Sequence, residues 1–405
     1  MPSRMRLEIA EQPEALRRTF QELLPQVAEL QAVARGTRQV LFIARGSSDN
    51  AAVYGQYLCS ARGGHVASLA SPSLATVYRA DLDLRGVLAV AVSQSGATEE
   101  IVTTLDWARH GGARTVAVTN VAGSPLTEVA DVALVTQAGS ELAVPATKTY
   151  TTQLAAMAVL ALALETNRPQ TEGSGGNRPR GQAHGGSRVE ARGHGGVPSG
   201  GEGRGGVTSG GQGRDGVTSG GQARDGDWVG AEGLGRVPDA VEAMLEVAPA
   251  AEALAGRLTY AQTLVVSGRG YAYSTALELS LKLKEACYVT AVGLSYADLV
   301  HGPIAIVDAR TPALLVVAAD GPMLPEMTGL AQRLGDTGAH VYGIGGDPDF
   351  AAACRAVLPG PSLPEHLAPF ALIVPGQLLA EALARAKGID PDAPRGLRKV
   401  TQTDT

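Results

Sequence analysis

Several things that would place the chain at once are scarce. It has three cysteines, Cys59, Cys287 and Cys354, and an odd, scattered set supports neither a disulfide framework nor a thiolate metal site. Aromatic residues make up 4% of the 405, with two tryptophans and four phenylalanines, which argues against a β-sandwich core or a base-stacking platform for nucleic acid. Positive charge is not in excess. The formal net charge is −6, so nucleic acid and anionic membranes find no general attraction, and an anionic ligand needs a local site. The longest apolar run, "AAMAVLALAL" at 155–164, falls far short of the roughly 18 residues of a spanning helix. The opening "MPSRMRLEIAEQPEALRR" is charged and lacks the apolar centre of a signal peptide, so the expectation is a cytoplasmic protein. The seven histidines include no i, i+4 pair and no H-x-E pattern, and no metal is expected.

What is present is Ala, Val and Leu in quantity, 44% hydrophobic residues in all, enough for two α/β domains each with its own core. Between about Asn167 and Arg236 the composition changes abruptly to glycine-rich decapeptides such as "GVTSGGQGRD" and "GVTSGGQARD". With almost nothing apolar to bury, this stretch reads as a disordered linker. The same pattern of elements stands on both sides of it. The first copy has strands at "QVLFIARG" (39–46), "GVLAVAVS" (86–93) and "RTVAVTN" (114–120), with helices from near Asp49 and Ala97. The second has strands at "TLVVSGRG" (263–270), "PALLVVAAD" (312–320) and "HVYGIGG" (340–346), with helices at "TALELSLKLKEACY" and "PEMTGLAQRLGDTG". Strands alternating with helices predict two parallel α/β sheets flanked by helices.

Ligands in such sheets sit beyond the carboxyl ends of the strands. The first two exits are "ARGSSDNAA" and "SQSGATEE". Helix N-termini offer free N–H groups and a favourable dipole to an anion, and Ser and Thr hydroxyls donate without adding full charge. Capping alone would explain one hydroxyl; three with a glutamine point to a phosphate. The dinucleotide glycine fingerprint and the G-K-[ST] of a triphosphate loop are missing there, which leaves a compact phosphomonoester.

With "RGSSDNAA" and "SQSGAT", the stretches "ELAVPATKTYTTQL", "ALELSLKLKEACY", "ADLVHGPIA" and "DPDAPRGLRKVTQT" resemble the sugar isomerase (SIS) family, in particular the isomerase half of glucosamine-6-phosphate synthases and its stand-alone relatives, which include a type of glucosamine-6-phosphate deaminase. The resemblance implies two tandem SIS domains of flavodoxin-like three-layer form: 1–166 with N-terminal helices, 237–390 after the 167–236 linker, and a tail, 391–405, that closes the active site. It implies Gly46, Ser47, Ser48, Ser93, Gln94, Ser95, Thr98, Val144 and Ala146 around a sugar phosphate, with Ser93, Ser95 and Thr98 on the phosphate itself. It implies Glu285 as catalytic carboxylate, Lys282 as its companion, His301 as the ring-opening residue supplied by a neighbouring subunit of a homodimer, and Lys399 as the amine that meets a ketose. No cofactor is implied, and the partners would be a phosphorylated amino sugar or a ketose phosphate.

Those residue types suit moving a carbonyl between carbon-1 and carbon-2 of a sugar. A carboxylate shuttles a carbon-bound proton, a lysine stabilises the enediolate or enolamine, and an imidazole exchanges a proton with the ring oxygen. Lys282 and Glu285 are i, i+3 on a helix and share a face. Two departures from the synthase pattern bear on substrate: Ala146 stands where a serine is usual, and Val292 where a glutamate is. Pro2 also stands where a synthase has the nucleophilic cysteine of a glutaminase domain, so the chain is not expected to draw ammonia from glutamine. The expected function is deamination of glucosamine 6-phosphate to fructose 6-phosphate. The alternatives are an isomerising aminotransferase with ammonia from elsewhere, a ketose-amine phosphate lyase, and a sugar-phosphate sensor.

Overall fold

The computed structural model describes residues 2–167 and 231–399. Positions 168–230 of the expected linker, and the tail beyond 399, lie outside them. In the first half, β1 (Gln39–Ile43), β2 (Val66–Leu69), β3 (Val87–Val92), β4 (Arg114–Thr119) and β5 (Val132–Val135) form a sheet in the order β2-β1-β3-β4-β5. In the second, β6 (Thr263–Gly268), β7 (Thr290–Ser295), β8 (Ala313–Val317), β9 (Val341–Gly345) and β10 (Ala356–Leu358) follow the order β10-β9-β8-β6-β7, the same topology seen from the other edge. Every pairing is parallel, and helices cover both faces, which is why β3 and β8 read as nearly unbroken apolar runs. The two duplicated α/β units are therefore present.

The halves share one core. The Lys148–Glu165 and Pro369–Ala386 helices are buried along almost their whole length, as helices apolar on every side must be. The 155–164 run is thus interior packing, and no described helix is long and apolar enough to cross a membrane. Side chains of both halves join in a single cluster; Tyr54 of the first meets Phe370 of the second edge-on at 5.8 Å. The Ser47–Ala61 and Ala272–Cys287 helices lie in this junction, so their N-terminal and central residues are held by packing from two domains.

The four edge strands were not legible in the sequence. β10 has three residues and β2 four, too few to show a period. A second difference lies at the end of the expected linker: Ala231–Gly235 is helical, and Leu234 is fully buried in the shared core. Its flanking glycines continue the composition of the repeats and hide one anchoring leucine.

Replacing 171–230 by a short Gly-Ser spacer is expected to leave the calorimetric melting temperature within about 2 °C of the parent. Leu234→Ala should instead remove roughly 2–5 kcal/mol, the cost of a core cavity. A melting temperature that drops with the spacer and ignores Leu234→Ala would place the boundary elsewhere.

Candidate active site

β1 and β3 pair side by side at the centre of the first sheet, where the chain turns toward opposite edges, and their exits open into one crevice. After β1, Gly46 precedes the Ser47–Ala61 helix. After β3, the loop Ser93–Thr98 leads into the Glu99–His110 helix. Ser93 and Ser95 are buried. Thr98 occupies the cap position but bonds no helix N–H; its hydroxyl shares a 3.3 Å hydrogen bond with that of Ser93. Capping thus does not account for the hydroxyls. Gly96 has φ +63°, and a β-carbon there would lie 2.1 Å from Ser124 Oγ, so the loop turns where only glycine fits.

A cavity of about 270 Å³ opens at these exits, lined among others by Ser47, Ser48, Ser93, Gln94, Ser95, Thr98, Val144, Ala146, Glu285 and Lys399. It is smaller than the ~300–1,000 Å³ of drug-sized ligands, a size for a compact molecule. Arg45 also lines it, but its guanidinium is engaged by Glu100 through two 3.0 Å bonds. Neutral donors therefore dominate the serine loop.

The opposite wall comes from the second half. Lys282, with no exposed side-chain surface, has Nζ 2.6 Å from Glu285 Oε2 and 3.3 Å from Glu278 Oε1. Glu278, also fully buried, accepts from Ser47 Oγ and Asn50 Nδ2, each at 2.8 Å. Lys282 further donates to Ser47 Oγ at 3.3 Å. Burial by itself would lower the lysine's pKa, but the two carboxylates outweigh it and hold the ammonium above its ordinary value. Burial raises Glu278, with Lys282 only partly opposing. Glu285 keeps 23% of its side chain exposed and faces the cavity, so it is the member of the trio that can reach a ligand.

A third wall is the segment 141–147 with the tail. Lys399 Nζ donates to the buried Glu141 Oε2 at 2.6 Å and to the Val144 carbonyl at 3.4 Å. Glu141 also accepts from Thr147 N and Thr149 Oγ1, at 2.8 and 2.6 Å; although burial would raise its pKa, these partners, Lys399 foremost, hold it low.

Of the site residues that the family resemblance implied, the structure brings together in or behind this cavity all but two. Gly46 is exposed at the helix start, and His301 is exposed at the end of the Tyr296–Val300 helix; neither lines the cavity. Ser47 is committed to Glu278 and Lys282. Val292, the second departure, lies in β7 away from the cavity wall. Sequence reasoning missed Glu278, Glu141 and Gln153. Each stood within a motif already in view, and Glu278 completes an i, i+4, i+7 acid-base-acid stripe with Lys282 and Glu285.

The matching exits of the second sheet, after β6 and β8, are built differently. Glu365 leans into them: a β-carbon at Gly321 would lie 2.7 Å from its Oε2, and one at Gly270 3.2 Å from its Oε1. Burial, and then the neighbouring Asp320, push its pKa up to about 7 against the pull of Arg62. A carboxyl thus fills the place that the serine loop leaves open in the first half.

Comparison with known proteins agrees with the duplication. The SIS domain family model matches residues 35–163 and 257–384. The glutamine--fructose-6-phosphate aminotransferase [isomerizing] of Pyrococcus horikoshii is 31% identical over 97% of the chain and 56% of its own length; that of Symbiobacterium thermophilum is 33% identical over 97% and 58%. The chain therefore spans little more than half of these curated relatives. Among solved structures, the C-terminal domain of glucosamine-fructose-6-phosphate aminotransferase from Francisella tularensis superposes with TM-score 0.77 at 24% identity, covering 97% of this chain and 99% of that one. Glucosamine-6-phosphate deaminase from Thermotoga maritima does so with TM-score 0.70 at 20%, covering 98% and 99%; both establish fold.

Two outcomes are expected. Ser95→Ala should weaken binding of a phosphorylated sugar by about 1–3 kcal/mol, the loss of a hydrogen bond to a charged group, while inorganic sulfate at the same site competes less well; calorimetric affinities equal to the parent's would remove Ser95 from the site. For Glu365, the folded pKa lies above the ordinary 4.5, so the folded state favours its proton and stability falls as pH rises from about 4.5 to 7. His366 next to it, pushed down to about 4 by burial and Arg62, contributes the opposite slope from about 4 to 6.5. Comparing melting temperatures of the parent and Glu365→Gln cancels the histidine. The parent should lose stability relative to the variant across pH 4.5–7, and parallel curves would contradict the assignment.

Proposed function

The chain belongs to the SIS domain family, and from that premise we propose that it is an amino-sugar phosphate isomerase and deaminase that converts glucosamine 6-phosphate to fructose 6-phosphate and ammonia. The observation that carries the reading is that Glu285, ion-paired to a buried lysine, shares one small cavity with the serine loop. A proton-moving carboxylate and a phosphate cradle so close together suit a phosphorylated sugar.

In this reading Ser93, Ser95 and Thr98 hold the phosphate with neutral donors, supported by two helix N-termini. The ring oxygen is protonated by His301 of a second copy, since His301 lines no part of the cavity within one chain. Glu285 takes the proton from carbon-2 of the opened aldose and returns it to carbon-1. Lys282 acts through Glu285, holding the carboxylate in position from behind the cavity wall, and its charge is fixed in place by Glu278 before the substrate arrives. The product carries an imine at carbon-2; water adds there and ammonia leaves. A sensor would have no use for a buried ammonium aimed at a partly exposed carboxylate.

A second reading is synthesis from fructose 6-phosphate with ammonia from elsewhere. Lys399 favours it, since its amine borders the same cavity and could meet a ketone.

Ammonia release on incubation with glucosamine 6-phosphate tests the first reading; glucosamine 6-phosphate formed only from fructose 6-phosphate and ammonium would favour the second. Glu285→Gln should lower kcat by about 10²–10⁴-fold. His301→Asn should be inactive alone, yet refolding it with an equal amount of Glu285→Gln should restore about a quarter of parental activity, because half of randomly formed dimers hold one complete site. Folded mixed dimers without activity would show that His301 does not act across subunits.

A further inference from the structure

Gln153 stands in the Lys148–Glu165 helix, 3% exposed, and its side chain lines the cavity beside Ser48 and Thr149. One end of its amide is in use: Nε2 donates to Ser48 Oγ at 3.0 Å. The other end is not. Gln153 Oε1 is buried and has no hydrogen-bond partner among the described residues. A buried amide oxygen left without a donor costs free energy, and such a group persists in a core where a ligand or an ordered water completes it. Everything else on this stretch of wall is already committed: the Thr149 hydroxyl is given to Glu141, and Ala146 offers only a methyl group.

We propose that Gln153 is a specificity-determining residue that binds the sugar, not the phosphate: its Oε1 accepts a hydrogen bond from a substrate hydroxyl, while its Nε2 holds Ser48 in place. This rests on the cavity being a sugar-phosphate site. Because Ser48 Oγ accepts the amide N–H, its own hydrogen is left to point at the ligand. Gln153 thereby orients one donor and supplies one acceptor, and a sugar lacking a hydroxyl to offer leaves the acceptor unpaired, which is how a buried polar group discriminates.

The test measures dissociation constants by calorimetry for fructose 6-phosphate, glucosamine 6-phosphate and inorganic phosphate, and reads the ratio of phosphate to sugar-phosphate affinity. In this arrangement the Ser48 hydrogen points at the phosphate group that all three ligands share, so losing its orientation cancels in that ratio. Gln153→Met should bring the preference for the sugar phosphates down by about tenfold, equivalent to ~1.4 kcal/mol, whereas Ser48→Ala should weaken all three and leave the ratio near the parent's. Should Gln153→Met not fold, Gln153→Asn, which withdraws the amide by one carbon, carries the same expectation. A parent that prefers the sugar phosphates combined with an unchanged ratio in the folded variant overturns the inference alone. A parent that binds sugar phosphates no better than phosphate overturns the cavity's assignment and the inference with it.

Discussion

An ammonium with no exposed surface has to be neutralised where it stands, because an unpaired charge in a core costs several kcal/mol. Lys282 is such a group, and satisfying it dictates much of what surrounds it. The two carboxylates that do so, Glu278 and Glu285, come from its own helix at i−4 and i+3. Glu278, being buried as well, then needs donors of its own and takes them from Ser47 and Asn50 on the first turn of a helix in the other half. The β1 exit of one domain is thereby fixed to the central helix of the other. The cavity exists because this junction is held a side chain's length from the serine loop, and Glu285 is the one member of the trio with surface left to face it.

The two halves share a topology and differ in what stands at their strand exits. In the first, small hydroxyl residues and Gly96 leave a space whose loop side is bordered by neutral donors. In the second, Asp320 and Glu365 bring two carboxyl groups to the same place, and burial first, with Asp320 adding to it, raises the pKa of Glu365. A phosphate there would meet negative charge at its most expensive point. Duplication supplied two sheets, and side-chain chemistry leaves one of them available to an anion while the other serves as the platform for Lys282.

Legibility followed the range of the interactions. The parallel sheets could be read because buried strands are continuous apolar runs, and the hydroxyl-rich cavity loop because three hydroxyls, a glutamine and a glycine between a strand and a helix are more than a cap requires. The Lys282–Glu285 pair could be read from spacing. Glu278 could not, since its reason for being there lies 231 and 228 residues away at Ser47 and Asn50, and within "ALELSLKLKE" it looks like one more helix charge. Glu141 and Gln153 were hidden in the same way, as polar residues of a quoted motif whose partners, Lys399 and Ser48, belong to distant segments. Lys399 itself was visible only through family resemblance, and a single chain gives His301 no neighbour to act on.

The cavity's third wall shows how such distant pairings reach beyond the chemistry. Segment 141–147 has no regular structure, so its backbone donors must find partners outside any helix or sheet ladder. Glu8 accepts from Leu142 N and Ala143 N, and the Val144 amide donates to the Asp392 carbonyl at 3.1 Å. The Asp392 carboxylate in turn accepts from Arg4 N and Met5 N, both at 2.8 Å, at the positive end of the helix that carries Glu8. Helix Arg4–Ala10, the wall and the tail segment around Asp392 therefore close a ring of bonds in which each member orders the other two. Lys399 reaches Glu141 from within this ring, seven residues after Asp392. Its amine can stand at the cavity only while the tail is held, so the position of a cavity-lining cation is set by contacts that lie outside the cavity.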